Sequence, residues 1–199
     1  MGVSDRGQET AATADGVLER LGGRCVLRFR RHLSHSPEKV WRAMTEDAHL
    51  AGWFPTTVEG ERAAGAPLRF SFPKGEADPF SGEMLVFDPP SVLEIRWGDD
   101  LLRFVLTPAE DASCLLDLTV TFPEHGKAAR DAAGWHVCLE QLAVVADDAD
   151  APLPWDPADR WRVVHPGYVE RFGAEASAIG PPPEWERLHG AEADAGGGG

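Results

Sequence analysis

The chain has 199 residues and a formal charge of −14, from 33 acidic against 19 basic side chains. That length accommodates one well-packed domain with extensions. The acidic balance argues against nucleic-acid binding, which needs clustered Lys and Arg, and against anionic membrane surfaces; the excess acid serves solubility.

Met1 is followed by a polar, charged stretch with no apolar signal core, and no run approaches the ~18 apolar residues of a membrane span. A cytoplasmic protein without membrane insertion is expected. Cys25, Cys114 and Cys138 are odd in number, widely spaced and set among apolar neighbours, so they read as reduced core residues. The absence of Asn and the presence of only three lysines match the bias of a GC-rich bacterial genome.

Residues 1–22 are mostly polar and aperiodic and are expected to be a mobile N-terminal segment, with Val17–Leu21 forming one helical turn before Gly22-Gly23. From Arg24 the period changes to two. Cys25, Leu27, Phe29, Arg31 and Leu33 share one face, and Val26, Arg28, Arg30 and His32 the other, as in a half-buried strand with Arg31 on its apolar side. Ser36 and Pro37 open a short helix, as N-cap and first-turn residues do. Val40, Trp41 and Met44 form its apolar stripe; Leu50, Trp53 and Phe54 form that of a second helix, which Pro55 stops.

Further strands are predicted over 57–61, 67–72, 82–87, 92–97, 101–107 and 114–122. Turn signals at Lys74-Gly75, Asp88-Pro89-Pro90, Gly98-Asp99-Asp100 and 108–112 separate them at hairpin distances. From Lys127 to Asp147 the period is helical again, with Ala132, Trp135, Leu139, Leu142 and Ala146 as the stripe, widened by His136 and Ala143. Some twenty residues span ~30 Å, enough to cross a sheet. Gly134 inside this helix costs ~1 kcal/mol against Ala, a cost that close approach to the sheet or to a cavity would explain. Residues 148–160 read as an acidic, Pro-rich linker. Trp161, Val164, Tyr168 and Phe172 give the 161–189 extension a helical stripe, which Pro166-Gly167 should kink; residues 190–199 read as a disordered tail.

One strand, two short helices, a meander and a long closing helix make an α+β helix-grip fold: a curved antiparallel sheet of six or seven strands wrapped on a C-terminal helix, over residues 23–147. Ser36-Pro37-Glu38-Lys39-Val40-Trp41-Arg42-Ala43-Met44-Thr45 and His49-Leu50-Ala51-Gly52-Trp53-Phe54 resemble the signature of the START-like (SRPBCC) superfamily. Within it they resemble the branch named for the activator of the ninety-kilodalton heat-shock protein ATPase. Gly82-Glu83-Met84-Leu85-Val86-Phe87-Asp88-Pro89-Pro90 with Leu93-Glu94-Ile95-Arg96-Trp97 is similar to that branch's central strand pair, and Gly134-Trp135 with Leu139 and Leu142 to its closing helix. Glu46-Asp47-Ala48 departs from the Asp-Pro-Glu that usually opens the second helix. The resemblance implies a carrier of small molecules, a polyketide cyclase or aromatase, or a co-chaperone; fold alone does not choose.

A sheet gripping a helix leaves a space that is either a ligand cavity or a filled core. Trp53, Phe54, Phe70, Phe72, Trp97, Phe104 and Trp135 are the candidate lining in the first case and the core in the second. Arg31 is the candidate group for an acidic ligand, or the partner of Glu83, Glu94 or Asp117 in an ion pair. His136 is either an acid–base group or a hydrogen-bonded structural residue. His32 and His35 would point to opposite faces of an extended strand and so make a poor metal pair. No nucleophile elbow, phosphate loop or dinucleotide fingerprint occurs. The expectation is binding of an apolar or amphipathic small molecule, with no cofactor and no metal. The alternatives are a protein-interaction module, marked by an apolar patch on the outer sheet, and a cyclase, marked by a convergent acid–base pair.

Overall fold

The period-two segment forms the ten-residue strand β2 (Arg24–Leu33), with Cys25, Leu27, Phe29 and Leu33 buried on one face, in a computed structural model that describes residues 15–189. Before it, Val17–Leu21 is not a helical turn but a strand, β1, paired antiparallel with β2 in the register Val17↔Arg28 to Leu21↔Arg24. The reason is local: Gly22 and Gly23 both take positive φ, which closes a tight hairpin and gives the segment a partner strand. The sheet therefore begins before residue 23. The expectations for residues 1–14 and 190–199 lie outside the described residues.

The helices α1 (Pro37–Thr45) and α2 (Asp47–Leu50) follow. Ser36 holds the N-cap position of α1, but its side chain makes no capping bond to the backbone. Its hydroxyl instead meets the Glu38 carboxylate, which its own backbone N–H and Ser36 hold below the usual range. The chain then crosses to the far edge of the sheet and returns strand by strand: β3 (Thr57–Glu59), β4 (Pro67–Ser71), β5 (Phe80–Asp88), β6 (Val92–Trp97), β7 (Asp100–Pro108) and β8 (Cys114–Phe122). The order is β1-β2-β8-β7-β6-β5-β4-β3, antiparallel throughout, so the sheet has eight strands rather than six or seven. The strand not foreseen is β1.

Strand β8 alternates strictly, with Cys114, Leu116, Leu118, Val120 and Phe122 buried. The outer face is laced by cross-strand ion pairs between residues in register: Arg30 with Asp117 at 2.7 Å, Arg96 with Glu83 at 3.5 Å, and Arg103 with Glu94. Gly82 in β5 makes room for a neighbour, since a Cβ there would lie 2.5 Å from the Phe70 ring.

Helix α3 (Ala128–Asp147) covers the inner face, with Ala132, Trp135, His136, Leu139, Leu142 and Ala146 of its predicted stripe buried and Ala143 partly so. Helix α4 (Pro157–Phe172) packs on α3. Asp156 and Pro157, placed in the linker by sequence, are its N-cap and first turn; the Asp156 carboxylate accepts from the Ala158 and Asp159 N–H groups at 2.8 and 3.1 Å. The helix runs continuously through Pro166. Its partners hold it: Tyr168 is fully buried and Trp161, Val164 and Phe172 pack on the core. A short helix, α5 (Pro183–His189), ends the described chain. Cys25, Cys114 and Cys138 are free thiols in the core. Among the described residues no helix is long and apolar enough to cross a membrane.

Candidate ligand-binding cleft

Seven aromatic residues singled out from the sequence form one continuous network with Phe80. Trp53 is anchored by an Nε1–H bond to the Ala43 carbonyl at 2.9 Å, and its ring meets Phe54 and Phe104 edge-on at 5.3 and 6.0 Å. Phe54 contacts Trp135 at 5.9 Å and Trp97 at 6.5 Å; Trp97 and Trp135 lie 5.9 Å apart. Phe72 approaches Trp97 at 6.2 Å, and Phe70 stacks on Phe80 at 5.3 Å. Trp97 donates its indole N–H to the Thr56 hydroxyl at 3.4 Å.

Most of this network is packed solid. Between Trp53, Phe54, Met84, Ile95 and Phe104 the space under the sheet is only about 20 Å³, room for about one water. The open volume lies at the other end of the ladder. There a cleft of about 240 Å³ is walled by Phe72 and Trp97 from the sheet side, by Gly134 and Trp135 from α3, and by Trp161, Pro182 and Trp185 from the extension. An adjoining lobe, also about 240 Å³, shares Phe72, Gly134, Trp161 and Trp185 and reaches Trp53, Phe54 and Gln141. A Cβ placed on Gly134 would meet nothing within 4 Å. The glycine thus faces the cleft and does not approach the sheet.

Most of the wall comes from residues that sequence reasoning did not place in a site. Trp161 and Trp185 lie 5.0 Å apart, and Trp161 donates to the Arg130 carbonyl at 3.3 Å. The signal for Trp185 was present as an aromatic residue following Pro181-Pro182-Pro183 in an otherwise polar tail. Cys138 also lines the cleft; burial pushes its thiol up to about 12, so it acts there as an apolar group and not as a nucleophile.

The floor carries a compensated charge network. Lys127 Nζ lies 2.5 Å from Asp100 and 3.1 Å from Asp131, and Arg130 Nε 2.7 Å from Asp131. Burial pulls the Lys127 ammonium down, but the carboxylates of Asp131 and Asp100 outweigh it and hold its pKa above the usual lysine value.

Arg31 and His136 do not line this cleft. They sit where β2, α3 and α4 meet. The Tyr168 hydroxyl accepts from the Gly16 N–H at 2.9 Å and lies 2.9 Å from His136 Nδ1; His136 Nε2 is 3.1 Å from Glu140, which also binds Arg160 at 2.6 and 2.8 Å. The neutral Nε2–H tautomer satisfies the whole chain, with Tyr168 donating to Nδ1 and Nε2 to Glu140. Burial first, and Arg31 next, lower the His136 pKa, against the pull of Glu140 and Asp15. Arg31 donates through Nη1 to its neighbour's carbonyl at 3.2 Å, and its guanidinium lies 5.7 Å from the Phe29 ring. The anticipated partners Glu83, Glu94 and Asp117 are taken by Arg96, Arg103 and Arg30. His32 and His35 turn to Ser113 and Asp147, at 2.9 and 2.5 Å.

An eight-stranded antiparallel sheet closed by a long helix, with two short helices after its second strand, defines a helix-grip protein of the START-like class. The model of the family described as activator of Hsp90 ATPase homolog 1-like protein matches residues 34–147, and the chain belongs to that family. No curated protein matches the chain. Among solved structures, the conserved protein of unknown function EF2215 from Enterococcus faecalis aligns at 22% identity and a TM-score of 0.66, over 78% of this chain and 89% of its own. CalU16 from Micromonospora echinospora aligns at 18% identity and a TM-score of 0.60, over 79% of this chain and 97% of its own. DynU16, from the dynemicin biosynthetic locus, aligns at 23% identity and a TM-score of 0.54, over 62% of this chain and 47% of its own. At such identities the likeness is one of fold.

Proposed function

We propose that this protein binds a compact apolar or amphipathic small molecule, with a flat ring system as its core, in the cleft between Trp97, Trp135, Trp161 and Trp185. The observation that carries this reading is Gly134. A helix gives up stability for a glycine in its middle, and here the missing side chain opens onto aromatic walls instead of admitting a neighbour. The cleft of about 240 Å³ and its adjoining lobe of similar size share aromatic walls and together approach the usual range of ~300–1,000 Å³ for ligand sites, and the flat indole walls favour a ring system over a long lipid.

Binding, not turnover, is the role the surroundings support. The Cys138 thiol is held protonated, and the acid–base pair of His136 and Glu140 is spent on Tyr168 and Arg160, away from the cleft. An interaction module would call for an apolar outer sheet, where this chain carries cross-strand ion pairs.

The test is a titration of the full chain with 2-naphthol, flavone and dodecanoate, followed by tryptophan emission. Saturable quenching by 2-naphthol or flavone is expected at micromolar concentration, roughly −8 kcal/mol. Gly134→Leu should fold normally yet bind at least about tenfold more weakly, as its side chain fills the cleft. Absence of saturable binding by all three compounds would overturn the reading.

A further inference from the structure

The charges around the cleft balance in number, but one carboxylate stands apart from the lysines and arginines. Lys127 is matched by Asp100 and Asp131, and Arg130 shares Asp131 and donates to the Gly180 carbonyl at 3.2 Å. Two inner cations thus face two carboxylates, and the adjoining lobe adds one charge of each sign, Lys74 and Glu76. Glu76 lines both lobes with its side chain only 14% exposed. Its carboxylate takes the Lys74 backbone N–H at 3.2 Å and stands 3.7 Å from His189 Nε2. Among the described residues no lysine or arginine side chain pairs with it. The residues that share both lobes with Glu76 are mainly apolar and include the indoles of Trp161 and Trp185 and the ring of Phe72.

Indole faces carry negative potential, and a desolvated cation is drawn to them more strongly than to any other side-chain ring. A nearby carboxylate without a lysine or arginine partner adds to the same preference, most of all where His189 is neutral. Resting on the reading of the cleft as a binding site, we propose that its ligands are organic cations: a tertiary or quaternary ammonium group beside Glu76, Trp161 and Trp185, carried on an aromatic or short alkyl body that lies against Trp97 and Trp135. The extension, outside the residues matched by the family model, then supplies the two indoles beside the ammonium group, and the grip domain supplies Glu76 and the apolar half of the site.

Phenyltrimethylammonium and its neutral isostere tert-butylbenzene separate charge from shape. Both are titrated into the full chain at pH 8, above the ordinary histidine range, with calorimetry as the readout. The cation should bind about tenfold more tightly than the isostere. Glu76→Gln, which preserves volume, should cost the cation about fivefold and leave tert-butylbenzene unchanged, with an unaltered melting temperature. Equal or tighter binding of the isostere would overturn the cation proposal and leave the binding reading standing. So would a Glu76→Gln variant that keeps the full preference for the cation. Failure of both probes to bind would overturn the cation proposal, and the binding reading would then be decided by the 2-naphthol, flavone and dodecanoate titration.

Discussion

Trp135 and His136 are neighbours in sequence and belong to two different places. One step along α3 turns the side chain by about 100°, and that step separates an open aromatic cleft from a closed polar junction. On the Trp135 side the walls are apolar, a glycine leaves space, and the charges are confined to the floor and to Glu76. On the His136 side the ring nitrogens and the Tyr168 hydroxyl are all engaged, and the bonds tie Gly16, α3 and α4 together. The contrast shows how an inward-facing polar residue can mislead. A histidine on the inner face of a helix can look like a ligand group when it is the fastener that holds an extension in place.

The largest effect expected from testing this contrast lies in the packed part of the aromatic ladder. Trp53 is 2% exposed, with its N–H satisfied and Phe54 and Phe104 against its ring. Trp53→Ala should lose about 3–5 kcal/mol in chemical denaturation. A loss below about 1 kcal/mol would mean that the ring lines open space, and the boundary between filled core and cleft would have to move.

On the polar side, Tyr168→Phe removes one oxygen and keeps the ring. The Gly16 N–H and His136 Nδ1 then lose a partner in a buried setting, at a cost of about 1–3 kcal/mol. Quenching by 2-naphthol should be unchanged, because the junction and the cleft share no side chain of this network. A parallel loss of binding would show the two regions to be coupled through α3.

The fold was legible because its signals are local and repeated. Period two in Arg24–Leu33 and Cys114–Phe122, the Ser36-Pro37 helix start and the stripe of α3 each name an element by themselves. Strand β1 escaped because Val17–Leu21 has no alternation of its own; pairing with β2 makes it a strand. The site was half legible. Periodicity says which residues face inward, and the aromatic set it names does pack into one network, but it does not say which part of an interior is filled. It also does not say where a separate segment will dock, and so Trp185 and Glu76 on the cleft wall were not foreseen, while Arg31 lies at the junction of β2, α3 and α4 instead. The one local hint of open space was Gly134, a helix residue without a helical reason.

Acidification should act on the polar junction. The His136 pKa is lowered from 6.5, first by burial and then by Arg31 on β2, against Glu140 on its own helix and Asp15 from the N-terminal side. The unfolded chain therefore takes up the proton first. The contribution to stability is complete above the unfolded value of 6.5 and is lost as pH falls from there through the lower folded value. His165, also lowered by burial, acts with the same sign in the same window. Denaturation free energy measured from pH 7.5 to 5.5 should decline in the parent protein and decline less steeply in His136→Gln, with His165 leaving a residual slope. Identical slopes would remove His136 from the account.

The smallest effect has the opposite sign and bears directly on the cleft. Gly134→Ala adds one methyl group where nothing lies within 4 Å, while lowering the backbone entropy of the unfolded chain. Helix propensity alone gives a gain of about 1 kcal/mol, or a rise in melting temperature of about 2–4 °C for a domain of this size. Affinity for 2-naphthol should fall slightly, since a methyl group takes only a small part of the space. The two readouts must move in opposite directions, stability up and binding down, if the glycine is kept to leave room for a guest. A destabilised Ala variant would mean that the backbone of α3 needs glycine there for its own packing, and the cleft would then be a by-product of that packing rather than its purpose.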